Sequence, residues 1–109
     1  MADTIQNRLD ALGVQLPVAA APAANYVPYV INGALVLTAG QLPLKDGALV
    51  SRGLLGRDLD VAAGKDAARW CAINILAQVK AAIGDLENIG RLLKITVFVA
   101  STPDFTEQH

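Results

Sequence analysis

At 109 residues the chain has room for one domain around a single core and no second unit. Apolar residues make up 53% and charged residues 17%, the balance of a folded globular domain, which excludes a disordered one. Nine basic residues against ten acidic ones leave a net charge of −1, so the chain offers no electrostatic footprint for duplex nucleic acid or an anionic membrane.

Residues 1–13 read as a short helix: Asp3 or Thr4 can cap it, Ile5, Leu9 and Leu12 make a one-sided stripe, and Gly13 stops it. Residues 14–24 hold Pro17 and Pro22 among alanines and predict an extended, irregular tether. Segment 16–24 has the alanines of a signal h-region. Its prolines, and Asp3 and Asp10 beside Arg8, argue against one, so a cytoplasmic location is expected. No apolar run approaches the roughly 20 residues of a membrane span. One cysteine, Cys71, excludes an internal disulfide and fits a reducing compartment.

Residues 26–31 predict a strand that Pro28 pushes towards an edge or a bulge. Asn32-Gly33 signals a hairpin, with residues 34–39 as the return strand. That strand is apolar on both faces and asks for cover on both. Lys45-Asp46-Gly47 marks a second turn, leading to a short strand over 48–51 and a loop over 51–59.

Residues 60–84 form the longest periodic segment. Asp60 suits the N-cap and Gly84 the position after the helix end. Gly64, Ala68, Cys71, Ala72, Ile75, Val79, Ala82 and Ile83 recur at spacings of three and four and predict the buried stripe. Cys71 on that stripe reads as an inert thiol. Trp70 and Ile73 fall outside it. For Trp70 two readings stand: a contact with another subunit, or an indole capped by the chain's own loops.

A turn or single helical turn is expected over 85–90, and a strand, again apolar on both faces, over 91–100. Ser101 to Asp104 has the spacing of a capping box with Pro103 suited to a first turn, so a helix is expected to begin there. Two strands that want cover on both faces and one long helix do not balance. The imbalance predicts an oligomer, further structure after His109, or both.

Residue types alone give little chemistry. One His and one Cys far apart make no metal site. A Ser–His–acid arrangement would have to use the last residue, His109, and no phosphate-loop pattern is complete. The residues by themselves support a small α+β domain.

A series of segments carries more. Asn25-Tyr26-Val27, Thr38-Ala39-Gly40-Gln41-Leu42-Pro43, the Ala-rich helix, and Lys94-Ile95-Thr96-Val97-Phe98-Val99 followed by Asp104-Phe105 resemble, in order and spacing, the Rid/YjgF family of reactive-intermediate deaminases. Some members of that family carry the label endoribonuclease L-PSP. The resemblance implies a chorismate-mutase-like α+β fold, with a mixed β-sheet and helices packed on one face, and a homotrimer with clefts between subunits. It divides the chain into an N-terminal helix and tether, 1–24, and a family domain, 25–109, that lacks its C-terminal strands. It implies hydrolysis of 2-imino and enamine acids to 2-oxo acids and ammonia, with no cofactor and no metal, acting on a small-molecule carboxylate.

By the same resemblance Tyr26, Gly40 and Gln41 are the substrate-binding residues. Each keeps a structural alternative: an edge-strand core tyrosine for Tyr26, and a bulge or turn glycine at Gly40. Thr38 and Thr96 read as strand residues, and Phe105 as the anchor of the second helix. The family's carboxylate-binding arginine and water-orienting glutamate lie on strands after that helix, beyond His109, so no residue here inherits either role. Arg52, Arg57 and Arg91 read as solvated charges. Two other functions stand beside the deaminase: a non-catalytic trimer that binds small metabolites, and RNA cleavage of the L-PSP type.

Overall fold

The computed structural model describes residues 4–22 and 24–109. Helix α1 (Ile5–Ala11) starts at Thr4, whose hydroxyl accepts from Asn7 N at 3.0 Å and satisfies an otherwise orphaned donor. The other expected cap, Asp3, lies outside the described residues. Of the predicted stripe, Leu9 is buried while Leu12 is 73% exposed, because the chain turns away at Gly13. Strands β1 (Tyr29–Asn32) and β2 (Leu35–Thr38) pair antiparallel with Val30 opposite Leu37 and Ile31 opposite Val36. The two turn residues are Gly33 and Ala34, one place later than the Asn-Gly signal suggests. Positive φ occurs only at the first of them, as a type II′ hairpin requires. Strands β3 (Leu44–Lys45) and β4 (Ala48–Leu49) form a second antiparallel hairpin, with Asp46 and Gly47 both at positive φ in the type I′ manner.

Helix α2 (Val61–Ile83) has the ends that its sequence predicts. Asp60 accepts from Ala63 N at 2.8 Å, and Gly84 donates to Lys80 O at 2.8 Å with φ at +81°. Its most buried residues lie beside the predicted stripe, of which Gly64, Cys71, Ile75, Val79, Ala82 and Ile83 are half-buried. Ile73, Asn74, Ala77 and Gln78 are the buried residues, whereas Ala68 and Ala72 are exposed. The stripe is turned because the helix centre carries two carboxamides that hydropathy counts as polar. Asn74 Nδ2 donates to Leu42 O at 3.1 Å and to Leu44 O at 2.9 Å; Gln78 Nε2 donates to Ala20 O at 2.8 Å. With these donors satisfied, the carboxamides are at home in the core. Trp70 turns inward with them, half-buried against the tether and the β3–β4 hairpin. The chain's own loops thus cover part of the indole.

After α2 a short 3-10 helix (Leu86–Asn88), the expected single turn, buries Leu86 and packs on α1, where Glu87 accepts from Ile5 N. Beyond it, two expectations fail. Residues 91–100 form no strand, because among the described residues no neighbouring strand offers them a ladder. They run outward, with Phe98 94% exposed. No helix starts at Ser101 either. Pro103 and Asp104 make a turn, and the chain there is tied back instead, by Leu55 N to Ala100 O at 3.0 Å and Thr102 N to Leu55 O at 2.9 Å. The expected double cover of β2 is also missing. α2 packs on one face, and the face that carries Val30, Leu35 and Leu37 is open, with Leu37 56% exposed.

The result is an α+β fold of antiparallel hairpins against one long helix. The Asn74 clamp gives a direct test. Asn74→Leu leaves the part-buried Leu44 O without its donor, while Leu42 O keeps Leu44 N, and is expected to cost about 1–3 kcal/mol, read as a lower urea midpoint at unchanged slope. Asn74→Asp, which cannot donate when ionised, is expected to cost at least as much.

Candidate functional site

The first hairpin delivers the three residues singled out for substrate binding. Ala39 N donates to Pro28 O at 2.9 Å, which carries the ladder one step past Tyr29–Thr38. Tyr26, in a bend before β1, and Gly40-Gln41, after β2, therefore leave the same end of the hairpin. Tyr26 is 48% exposed, so it is no core tyrosine within one chain. Gln41 Nε2 donates to Ala39 O at 3.3 Å, which folds the side chain back over its own turn.

Gly40 is the informative member. It is not among the positive-φ glycines, and a Cβ built on it meets nothing within 4 Å. Neither backbone conformation nor crowding inside the chain demands a glycine there.

What holds this end of the hairpin in place was not visible as a motif. Leu44 N donates to Leu42 O at 2.8 Å, a three-residue turn, and Asn74 Nδ2 grips the carbonyls on either side of it. Asn74 thus positions the segment that leads out of Gly40-Gln41. The available signal was a pair of carboxamides one turn apart, Asn74 and Gln78, in an otherwise apolar helix centre.

Charged groups lie elsewhere. Arg57 Nη2 pairs with Asp58 Oδ2 at 2.9 Å on the surface. Asp58 also accepts from Leu54 N at 2.8 Å. The guanidinium and that backbone bond hold the Asp58 carboxyl below its usual range, and the carboxylate raises Arg57 in turn. The pair shapes the 54–59 turn, so Arg57 is already engaged, while Arg52 and Arg91 are exposed. Phe105, expected to anchor a helix, is instead half-buried over Gly56. Among the described residues no group of three or more His, Cys, Asp or Glu is placed to hold a metal, and no helix is long and apolar enough to cross a membrane.

Cys71 is half-buried, and desolvation pushes its thiol above the ordinary cysteine range. A raised pKa lowers the thiolate fraction at any pH below it. Iodoacetamide at about pH 8 is therefore expected to alkylate the folded protein several-fold more slowly than the urea-unfolded protein. Equal rates would mean that the helix does not shield the thiol.

This is the architecture of the YjgF and chorismate-mutase-like proteins. The model of that family, described as "YjgF/chorismate_mutase-like, putative endoribonuclease", matches residues 6–103, and the chain belongs to it. Protein TCP17 of Trypanosoma cruzi is 49% identical over 100 residues, which is 92% of this chain and 62% of that protein. Among solved structures, the Agrobacterium tumefaciens protein Atu1372, described as of unknown function, is 55% identical with a TM-score of 0.88; the match covers 96% of this chain and 64% of that one. A Shewanella oneidensis protein described as a "putative endoribonuclease" is 43% identical with a TM-score of 0.74, over 77% of this chain and 56% of that one. The chain spans less than two-thirds of the length of each of these relatives.

Proposed function

We propose that the complete polypeptide hydrolyses 2-imino and enamine acids to 2-oxo acids and ammonia in clefts between identical subunits, with Tyr26, Gly40 and Gln41 lining the cleft. Water adds to the C=N carbon, the nitrogen takes up the proton, and ammonia leaves as the C=O bond forms. The balance needs only water, so the reading includes no cofactor. The observation that supports it most is Gly40, a glycine with no reason inside one chain, at the same hairpin end as the exposed Tyr26. A close approach by something outside the chain supplies that reason.

The open sheet face supports the assembly. Val30, Leu35 and Leu37 share it, and the buried apolar side chains of the described residues number only four: Leu9, Ile73, Ala77 and Leu86. At about 1.5–3 kcal/mol for a fully buried large side chain, three of these and one alanine do little against the ordering entropy of a chain this size. Covering the face between copies, in the proposed trimer, adds the missing burial.

Two experiments test this. An imine made in place by an amino-acid oxidase is expected to decay faster with the full-length protein than in buffer. Decay at the buffer rate sinks the deaminase and leaves the metabolite-binding trimer. The Shewanella neighbour's description favours a different outcome, RNA cleavage, to which a net charge of −1 lends little electrostatic help.

The assembly is tested separately by light scattering after size exclusion. Leu37→Glu is expected to drop the mass from trimer to monomer. Gly40→Val is expected to reduce imine turnover although it meets open space within one chain. If both variants behave as the parent, neither the face nor the glycine has the role assigned to it.

A further inference from the structure

The chain's single tryptophan lies in a groove that shares no residue with Tyr26, Gly40 or Gln41. Trp70 stands on α2 between the 13–18 tether and the β3–β4 hairpin, and the groove there has a volume of about 680 Å³. Lys45 Nζ lies 5.5 Å from the indole centroid and Arg69 Cζ lies 5.7 Å from it, both within cation–π range. Two cations therefore share one indole. Neither has a carboxylate within ion-pair distance among the described residues. Asp46 is the other charged group in the lining, so two positive charges face one negative. The remaining wall includes Leu16, Pro17 and Ile73, and the indole N–H makes no hydrogen bond among the described residues.

We propose that this groove binds a small organic anion with a flat apolar body, its acid group held between Lys45 and Arg69 and its body against Leu16 and Pro17. The arrangement fits such a ligand on both counts. An anion gives the two cations the partner that neither has among the described residues, and an apolar body removes water from the aliphatic wall. A purely inorganic anion would use only the first contribution. Both cationic side chains are exposed, so they are available without local unfolding.

The probe is 2-naphthoate, with neutral 2-naphthamide as its uncharged counterpart. The readout is the indole N–H resonance of Trp70, which is unique because the chain has one tryptophan. The expected result is a saturable shift with naphthoate, and affinity lower by about tenfold or more both for the amide and for the Lys45→Gln/Arg69→Gln variant. Far-UV circular dichroism establishes that the variant is folded, and the acid–amide comparison on the parent protein holds even if it is not. No saturable shift at about 10 mM naphthoate, or equal binding of acid and amide, overturns the proposal. So does undiminished binding to the folded variant. None of these outcomes bears on imine hydrolysis at the hairpin end.

Discussion

One carboxamide sets the geometry on which the rest depends. The segment between β2 and β3 makes a tight three-residue turn, so its carbonyls cannot all be met by a regular ladder. Pro43 O is met by Val50 N at 3.0 Å, while Leu42 O and Leu44 O share the two hydrogens of Asn74 Nδ2. A carboxamide is the one neutral side-chain group that presents two such donors from a single nitrogen. The bond pair joins the middle of α2 to the connection between the two hairpins, and Gln78 one turn later ties down the tether through Ala20 O. Hairpin, helix and N-terminal segment are thereby registered to one another by polar contacts inside a small apolar core. The hairpin end that carries Gly40 and Gln41 inherits its position from that register.

The same core explains what is left open. A helix whose centre is spent on two carboxamides buries few aliphatic side chains of its own, and only one face of the β1–β2 hairpin meets it. The apolar side chains of the other face, and those along residues 92–98, turn outward together. An extended apolar segment with unpaired backbone groups is a template for further pairing. The proposed assembly and the lack of a ladder over 91–100 are in this sense one matter. Both concern surfaces that the helix does not cover.

The parts of this fold that are legible in the sequence are those fixed locally. Asp60 and Gly84 mark the ends of α2 because capping depends on a few adjacent residues, and Asp46-Gly47 marks a turn because its backbone angles exclude most side chains. The most buried residues of α2 were not legible. Periodicity assigns Asn74 and Gln78 to the polar side, whereas their burial depends on carbonyls about 30 and 58 residues away in sequence. Trp70 and Ile73 were displaced for the same reason. The strand over 91–100 and the helix after Ser101 have sound local signals, but a strand exists only with a neighbour. Pro103 is here used in a turn that comes after the Leu55–Thr102 bond. For the candidate site, resemblance supplied Tyr26, Gly40 and Gln41. Asn74, which holds their support, was missed.

The glycines give an independent view of where the chain meets something else. Most of them are at positive φ, where a side chain is strained whatever the space, and Gly64 on α2 would bring a Cβ to 2.8 Å from Leu55 Cδ2. These are explained from within the chain. Gly40 and Gly90 are not: both have open space around them and neither is at positive φ. Gly40 stands at the hairpin end beside the exposed Tyr26, and Gly90 stands immediately before the outward segment 91–100. Two residues with no internal reason therefore flank surfaces with no internal cover. A chance placement of indifferent glycines would have no cause to fall on those borders, whereas close approach by a neighbouring subunit or ligand would favour a residue without a side chain at both.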